Sequence, residues 1–400
     1  MSLPKLMGAP GVGLLGVLAL AVVTPTAGLT QTVGRHVDRT PLWQRVDHDI
    51  LWNFHNMYNL HIVQVPGDEY PYRGWFFGWA WTDANPGFPG CDAIFAARSR
   101  DLLSGWQVWT REGGWDEKMS PKLWAPVVAA QDKYYDQWHN GDPSVVKLGN
   151  RYCMAYSSVG FDKDGKPVGD KDDKDGDYMC IMGADSADGV HWRRSRLPIL
   201  AYPGEYGATE TYGDVALFGS YQRPSLMWDD GRWKLWFDYW DGPGPGVSVG
   251  YAENKGDFLE PNDWKLVRGG DKPVIPQFPN PDVVKVGDLY FAYGDPPTGL
   301  PHMWITRKIT EAVSRDGLNW MILGHVEPEP GVPAIHVPEA FVVDQGGGRW
   351  RIYLFYACQK GGEPYDWRYG RIRCMWRTVD QAELGRWSAM LASGSVGTDQ

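Results

Sequence analysis

Four short stretches of the sequence each place a charged side chain next to a proline, directly before an apolar run. The charged residues are Asp142, Arg223, Asp282 and Glu339. Three carboxylates and a guanidinium that recur in this way suit acid–base chemistry, because one carboxylate can stay ionised as a base while a protonated one donates. Glycosidic bond cleavage uses a pair of carboxyl groups in these two roles. We predict that the four residues form one site.

The elements that must position these residues also repeat. Each copy continues with a short apolar strand, a tight turn and a second strand that ends in aromatic residues. The charged positions recur at intervals of roughly 60 to 80 residues, and a unit of this size with four short strands is typical of a β-propeller blade. An earlier fifth unit has Phe54, His55 and Asn56 in the corresponding place. We predict an all-β, single-domain, five-bladed β-propeller with four antiparallel strands per blade; the alternative is a β-sandwich with coincidental repeats.

Propeller geometry places the chemistry. The innermost strand of each blade lines the central channel, so residues in the same place of each repeat converge on the axis, and we expect the four charged residues to surround one mouth of the channel. Long loops between the second and third strands open on that face, where binding surfaces are usually built. Candidate substrate contacts in addition to Arg223 are His139, Asn140 and Asn56, with Trp240 and Trp367 as faces for sugar stacking.

Composition limits the class of protein. With 43% apolar residues, 49 Gly and 30 Pro, the chain is globular and rich in turns, and its formal net charge of −10 argues against a nucleic-acid partner. We divide it into a signal peptide (residues 1–28), an N-terminal lead (29–49), the propeller (50–385) and a flexible tail (386–400). Lys5 and the apolar run that follows it favour an exported protein with no membrane association after cleavage, against the alternative of an uncleaved anchor.

Five cysteines in an exported chain suggest pairing with one left over. Cys153 with Cys180, and Cys358 with Cys374, fall on consecutive predicted strands of one repeat. Both are candidate cross-strand disulfides, although disulfide geometry is strict and cannot be read from a sequence. Cys91 would be the free thiol.

The chain resembles the five-bladed propeller glycoside hydrolases: the arabinanases and β-xylosidases of family 43, invertases, mannoside phosphorylases and the neoagarooligosaccharide hydrolases of family 117. The resemblance spans about residues 50–380. It rests on G-D-P-S-V-V at Gly141–Val146, R-P-S at Arg223–Ser225, P-D-V-V at Pro281–Val284, P-E-A at Pro338–Ala340 and the two S-x-D-G-x-x-W signatures, Ser186–Trp192 and Ser314–Trp320.

The resemblance implies roles for the carboxylates. In the arabinanase-like families an Asp base, an Asp that tunes the pKa and a Glu acid lie on three successive blades. Here the carboxylates fall on the second, fourth and fifth units, an arrangement closer to family 117, in which the acid is a His. By this analogy Asp142 is the base, Asp282 modulates the pKa, and either Glu339 or His336 is the acid.

The expected function is that of a secreted, inverting, exo-acting glycosidase on a plant or algal oligosaccharide or polysaccharide. The alternatives are a non-catalytic carbohydrate-binding propeller and a glycoside phosphorylase; the latter would need more basic residues than Arg223 at the site. No cofactor is required. Related propellers can hold a calcium ion on the axis with a histidine, so His55, His139 or His336 could contribute to a structural Ca²⁺ site.

Overall fold

Short runs of β-branched and aromatic residues, separated by Gly- and Pro-containing turns, form antiparallel strands throughout the described chain. A computed structural model describes residues 37–79, 92–130, 139–159, 179–201, 210–212, 215–217, 220–240, 247–269, 272–296, 307–332, 334–359 and 370–393. These residues form the predicted five-bladed β-propeller, with four antiparallel strands per blade. No helix within these ranges is long and apolar enough to cross a membrane.

The strands follow one another blade by blade, each pairing with the next. A 3-10 turn (Thr40–Leu42) precedes two edge strands, β1 (Gln44–Arg45) and β2 (Leu51–Phe54). Blade one contains β3 (Tyr58–Gln64), β4 (Tyr72–Trp79), β5 (Asp92–Ser99), β6 (Gln107–Trp109), β7 (Trp115–Asp116) and β8 (Pro126–Val128), with a 3-10 turn at Pro121–Leu123. Blade two contains β9 (His139–Leu148), β10 (Arg151–Val159), β11 (Met179–Ser186) and β12 (Arg193–Arg194), and a separate hairpin follows, β13 (Glu210–Tyr212) and β14 (Val215–Leu217).

The remaining blades have the same order. Blade three contains β15 (Ser220–Asp229), β16 (Arg232–Trp240), β17 (Ser248–Asn254) and, after a 3-10 turn at Pro261–Asp263, β18 (Trp264–Arg268). Blade four contains β19 (Asp282–Val286), β20 (Leu289–Gly294), β21 (Ile309–Ser314) and β22 (Trp320–Val326). Blade five contains β23 (His336–Gly346), β24 (Arg349–Gln359) and β25 (Gly370–Asp380), and helix α1 (Gln381–Ser393) follows.

The N-terminal segment completes blade five, which corrects the predicted domain limits. Strands β1 and β2 pair with β25, so residues 44–45 of the predicted lead belong to the propeller and blade one begins only at Tyr58. The segment is fixed by burial of Trp43 and by a buried ion-pair network in which Arg39 and Arg377 both contact Glu311. At the other end, residues 386–393 of the predicted flexible tail are helical, because Leu384, Trp387 and Leu391 pack on the core between blades four and five.

The two S-x-D-G-x-x-W signatures connect neighbouring blades. Trp75 of blade one donates its indole N–H to the Gly189 carbonyl of blade two at 2.8 Å, and Trp236 of blade three donates to the Gly317 carbonyl of blade four at the same distance. Both glycines have positive φ (80° and 73°), and a Cβ on either would lie within 2.8 Å of the partner indole. The repeated motif is therefore a blade-to-blade contact that only glycine permits.

The predicted disulfides are wrong. Cys153, Cys180, Cys358 and Cys374 are buried free thiols. In the β10–β11 ladder Cys153 stands opposite Asp185, five residues along from Cys180, which separates the two by roughly 17 Å at the usual strand rise. In the β24–β25 ladder Cys358 and Cys374 are three positions out of register, which separates them by about 10 Å along the strand. Both separations exceed what a disulfide can bridge. Cys91 lies outside the described residues.

Candidate active site

The five inner strands, β3, β9, β15, β19 and β23, contact one another in a closed cycle around the channel. Near the start of β3, β9, β15 and β23, two residues bulge out of the ladder, as in β9 between the pairs Gly141↔Ser157 and Ser144↔Ala155. The first bulged residue, and the corresponding residue just before β19, has a positive φ of 48° to 57°, an uncommon conformation for residues other than glycine. These five residues, which we call the entry layer, are Asn59, Asp142, Arg223, Asn280 and Val337.

The bulge separates residues that the sequence analysis placed together. Asp142 and Arg223 precede their prolines and lie in the entry layer, whereas Asp282 and Glu339 follow theirs and lie two residues further down the channel. The predicted single set of four equivalent positions is therefore wrong, because D-P and P-D look alike in the sequence but fall on different levels of the inner strand. The five residues at the lower position, which we call the second layer, are His61, Ser144, Ser225, Asp282 and Glu339.

Second-layer side chains join each inner strand to the next. Three of them accept a backbone N–H from the following blade: Ser144 from Leu226 at 2.9 Å, Ser225 from Val283 at 2.9 Å and Asp282 from Ala340 at 2.6 Å. Ser225 also contacts the other carboxylate oxygen of Asp282 at 3.1 Å. The second layer is thus a hydrogen-bonded belt.

His61 closes this belt between blades five and one and between blades one and two. Its Nδ1 lies 3.0 Å from Glu339 Oε2, and its Nε2 lies 2.9 Å from the Val145 carbonyl oxygen. A carbonyl can only accept, so Nε2 carries the proton and, in the neutral ring, Nδ1 presents a lone pair to Glu339. Burial lowers the pKa of His61, which favours this neutral ring. The sequence analysis missed His61, because its N-L-H-I-V context contains no proline.

The two second-layer carboxyl groups hold their protons more tightly than usual. Burial, followed by the charge of Glu339, raises the pKa of Asp282 to about 7. Burial, followed by the charge of Asp142, raises the pKa of Glu339 well above its ordinary value. Glu339 therefore keeps its proton to a higher pH than an exposed glutamate does, which is the direction that a general acid needs.

His336, the other candidate acid, has the opposite property. It is partly buried beside Tyr58, with ring centroids 6.4 Å apart, and its Nδ1 has no hydrogen-bond partner within the described ranges. Burial lowers the pKa of His336 to about 4, and the nearby Arg307 and Arg223 act in the same direction. A neutral imidazole keeps only a very weakly acidic N–H and lacks the imidazolium proton that a general acid donates, so the electrostatics favour Glu339 for that role.

Arg223 links two carboxylates at the entry layer. Its Nε lies 3.9 Å from Asp142 Oδ1, and its Nη1 lies 3.6 Å from Asp238 Oδ2. Burial lowers the pKa of Arg223, but Asp142 and Asp238 raise it by more, and the guanidinium stays charged. Asp142 itself is almost completely buried, at 1% exposure. The entry layer therefore holds a carboxylate and a cation that are close without a direct hydrogen bond.

Two further buried carboxyl groups, Asp238 and Asp295, lie beside the entry layer and were missed. Each stands near the end of a second strand and accepts a backbone N–H from the next blade, Asp238 from Asn280 and Asp295 from Val337. Their sequence signal was an aspartate within or just after an aromatic strand, F-D-Y-W-D and A-Y-G-D. That signal lies outside the proline-containing repeat on which the prediction depended.

The other predicted substrate contacts have mixed outcomes. Asn56 lies in the turn between β2 and β3, and its buried Oδ1 has no partner among the described residues. Asn140 is fully buried opposite Ser158, so its side chain presents nothing to solvent. The backbone of His139 begins β9 and that of Trp240 ends β16, but the placement of their side chains, and Trp367 as a whole, lie outside the described residues.

Among the described residues, one cluster could hold a metal ion. His61, Asp282 and Glu339 each bring a ligand atom within 4.8 Å of the others. The donor set fits a divalent cation for two reasons. The Val145 carbonyl accepts from Nε2, so the lone pair of Nδ1 points towards Glu339, and the His61 ring is the only basic group that a described ion pair places on either carboxyl group. The histidine of this cluster is His61, which the sequence analysis did not name; His55 and His336 are not part of it, and the side chain of His139 lies outside the described residues.

The fold has many relatives among solved structures. A BT0996 RGII complex matches with a TM-score of 0.56 at 16% identity, covering 85% of this chain and 92% of that one. Zg3597, a family 117 glycoside hydrolase of the marine bacterium Zobellia galactanivorans, matches with a TM-score of 0.52 at 14% identity, covering 84% and 89%. An N-acetylgalactosamine deacetylase from F. plautii, solved with blood group B trisaccharide, matches with a TM-score of 0.52 at 14% identity, covering 91% and 97%.

At these identities the likeness shows the fold alone, a five-bladed propeller of the kind found in glycoside hydrolases. No protein-family profile and no curated protein sequence matches the chain.

Proposed function

We propose that the chain is a glycoside hydrolase whose catalytic pair is Asp142 in the entry layer and Glu339 in the second layer. The observation that carries the proposal is the electrostatic contrast between the two. Arg223 lies beside Asp142, where a cation favours an ionised carboxylate, whereas burial and the charge of Asp142 raise the pKa of Glu339. A carboxylate beside a cation and a carboxyl group with a raised pKa would provide the base and the acid that glycoside cleavage needs.

The neighbouring residues support these roles. Asp142 would activate water, and Glu339 would protonate the leaving oxygen. Asp282, whose pKa is coupled to that of Glu339, would help to keep the acid protonated. Arg223, with a buried Nε that makes no hydrogen bond to the described residues, offers donors for a sugar hydroxyl.

Relatives with this fold act on carbohydrates, which supports a carbohydrate substrate here. Zg3597 is a glycoside hydrolase, but the F. plautii protein is a deacetylase of an N-acetylated sugar. The fold therefore does not choose between glycosidic and amide bonds, and function must be argued from the site. The Asp142 and Glu339 pair favours glycosidic cleavage.

The test is a panel of chromogenic glycosides and plant and algal oligosaccharides, with N-acetylated sugars included. We expect turnover of a glycoside by the wild type and a loss of at least about a thousandfold in Asp142→Asn and in Glu339→Gln. Exposed carboxylates provide matched controls. Asp344→Asn lies on the same strand as Glu339, and Asp230→Asn lies in the turn after β15; both should keep full turnover.

The same panel, applied to the wild type and to these variants, separates the alternative functions. Glycan binding without turnover in the wild type would favour a carbohydrate-binding propeller, and turnover that depends on inorganic phosphate would favour a phosphorylase. Release of acetate without glycosidic cleavage would favour a deacetylase. Full turnover in both Asp142→Asn and Glu339→Gln would remove these residues as the catalytic pair.

We propose inversion and an exo mode of attack for the same site. Proton NMR of the first product should show the anomer opposite to that of the substrate, and only terminal sugars should be released from a long oligosaccharide. Product with retained configuration, or internal cleavage, would contradict the respective statement.

We also propose, as the alternative to an acid role for Glu339, that a divalent cation binds to His61, Asp282 and Glu339, since a carboxylate that ligates a metal carries no proton to donate. When bound it would supply positive charge between the inner strands of blades one, four and five. Calcium is the ion that the family resemblance implies, although an imidazole ligand is more usual for zinc or manganese. Elemental analysis of the purified protein and its melting temperature with and without a chelator test the proposal. His61→Gln should abolish any metal-dependent shift; a metal-free protein whose melting temperature ignores added cations would contradict it.

Export remains a proposal that rests on the predicted signal peptide, which lies outside the described part of the chain. Expression of the full-length chain with analysis of the N-terminus of the released protein tests it. A mature chain that starts near residue 29 is expected; a membrane-retained, uncleaved chain would favour the anchor.

A further inference from the structure

Near the end of the second strand of blades two, three and four, or directly after it, a side chain supports the entry layer of the next blade. Ser157 stands opposite Gly141 in the ladder, and Asp238 stands opposite Gln222. The backbone N–H of Asp295 donates to the Pro279 carbonyl. Gly141, Gln222 and Pro279 each immediately precede an entry-layer residue. The side chains accept entry-layer N–H groups: Ser157 from Arg223 at 2.7 Å, Asp238 from Asn280 at 3.0 Å to each oxygen, and Asp295 from Val337 at 2.8 Å.

A hydroxyl is sufficient for this structural contact, as Ser157 demonstrates, so a carboxyl group needs another explanation. Burying a charge costs free energy unless the charge is paired. Asp295 is paired, because Arg307 Nη1 lies 3.0 Å from both of its oxygens. Asp238 is fully buried, and the nearest cation in a described ion pair, Arg223, lies 3.6 Å away. Support of the backbone therefore explains the position of Asp238 but not its charge.

Arg223 lies between two carboxyl groups at nearly equal distances, 3.6 Å from Asp238 and 3.9 Å from Asp142. Neither distance is that of a hydrogen bond. A small movement of the long side chain would complete a pair with one carboxylate and leave the other. The charge on Asp238 then decides between the two, since an ionised carboxylate attracts the guanidinium far more strongly than a protonated one.

We propose that Asp238 is a positioning residue that regulates the site by controlling which carboxylate Arg223 pairs with. While Asp238 is protonated, Arg223 stays with Asp142 and orients it. When Asp238 ionises, it draws the guanidinium away from Asp142. The inference rests on the proposed function for its effect on turnover, but the pairing itself is a property of the folded protein.

The surroundings of Asp238 place its ionisation in the weakly alkaline range. Burial raises the pKa of Asp238 to about 8, against the opposing effects of Arg223 and the Asn280 N–H, while Asp295 and Asp142 raise it further. Among the described residues, the other titratable groups around Arg223 are Tyr58, His336 and Asp295, and Arg307 pairs with Asp295.

Thermal unfolding between pH 5 and 9 tests the ionisation without any substrate. An acid whose pKa is raised by folding destabilises the folded protein progressively as pH rises from about 4 to about 8, because the unfolded chain releases the proton more readily. Asp238→Asn lacks this destabilisation. The difference between its melting temperature and that of the wild type should therefore increase up to pH 8 and stay constant above pH 8. Ser157→Ala, at the same repeat position, should show an offset that does not vary with pH. A pH-independent offset for Asp238→Asn would overturn the proposal.

A double-mutant cycle tests the pairing. The coupling between Asp238→Asn and Arg223→Gln in melting temperature should be larger at pH 9 than at pH 6, and that between Asp142→Asn and Arg223→Gln should be smaller. Couplings that do not change with pH would overturn the proposal even if Asp238 titrates.

With a substrate in hand, the basic limb of the kcat/KM profile should move up by one pH unit or more in Asp238→Asn, and an unmoved limb would contradict regulation. If no glycoside is turned over, the proposed function fails while the two thermal measurements still decide the pairing.

Discussion

The entry layer and the second layer lie two residues apart on the same five strands, yet their side chains have different tasks. Second-layer side chains form hydrogen bonds from blade to blade: Ser144, Ser225 and Asp282 each accept a backbone N–H from the next inner strand. In the entry layer Asn59 makes such a bond, to the Pro143 carbonyl, whereas Arg223, Asn280 and Val337 are held by their backbone N–H groups, which donate to side chains of or just after the second strands. Asp142 and Arg223 are held near each other without a direct hydrogen bond between them. Most second-layer side chains stabilise the propeller, and the entry layer brings a carboxylate and a cation together.

Glu339 lies in the second layer but does not follow its pattern. Where Asp282 accepts a backbone N–H, Glu339 contacts the His61 side chain instead, and the charge of Asp142 raises its pKa. The charge of Asp142 therefore acts on Glu339 from the other layer. The catalytic pair that we propose thus joins the two layers.

Among Arg223→Gln, Asp282→Ala and His336→Gln, the largest effect should be that of Arg223→Gln, on the catalytic activity of the entry layer. Glutamine keeps hydrogen-bonding groups but removes the cation beside Asp142, so we expect kcat/KM to fall about 10²- to 10³-fold. Steady-state kinetics on the best glycoside of the panel measure this effect. Lys285→Gln, at an ion pair on the inner strand of blade four, removes a cation elsewhere and should leave kcat/KM within about threefold. Unchanged kinetics in Arg223→Gln would deny the entry layer a catalytic role.

Asp282→Ala should break the second layer and lower stability. The Ala340 N–H and the Ser225 hydroxyl would both lose a buried partner, which costs about 2–3 kcal/mol of the free energy of unfolding. Urea denaturation at pH 7 measures the loss. An unchanged free energy of unfolding would mean that the belt of hydrogen bonds does not hold the blades together.

Much of the fold could be predicted from the sequence, because an inner strand that begins beside a proline recurs in four of the five blades. The separation into two layers could not, since the bulge places D-P and P-D on different levels and neither motif encodes the positive φ of Asp142 and Arg223. His61 and Asp238 were missed for a related reason: they act through contacts between blades, and no local pattern marks such contacts.

Blade five shows the same limit at larger scale. Its outer strands, β1 and β2, come from the start of the described chain, whereas β25, with which they pair, lies near its end. The local apolar pattern assigned Ile50 to the first blade. It could not show that this segment pairs with blade five, because ring closure depends on where the two ends of the chain meet.

His336 should have a smaller effect, on the pH dependence of the free energy of unfolding. This effect distinguishes the two candidate acids, Glu339 and His336. A histidine whose pKa is lowered by folding is destabilising at low pH, because the unfolded chain takes up a proton below about pH 6.5 while the folded chain resists. Between pH 7 and pH 5 the wild type should lose about 2 kcal/mol from this residue. In His336→Gln that part of the loss should disappear in urea denaturation. A variant with the same pH dependence as the wild type would mean that His336 titrates normally and can compete with Glu339 as the acid.

The most direct test of the division between layers compares Asp142→Asn with Ser144→Ala, two residues apart on β9. We expect Asp142→Asn to lose at least about a thousandfold in kcat/KM and to change the free energy of unfolding by less than about 1 kcal/mol. Ser144→Ala should lose about 1–2 kcal/mol of stability, because the Leu226 N–H is left without its acceptor, and keep kcat/KM within about threefold. The reverse pattern, with Ser144→Ala inactive and Asp142→Asn merely unstable, would contradict the account.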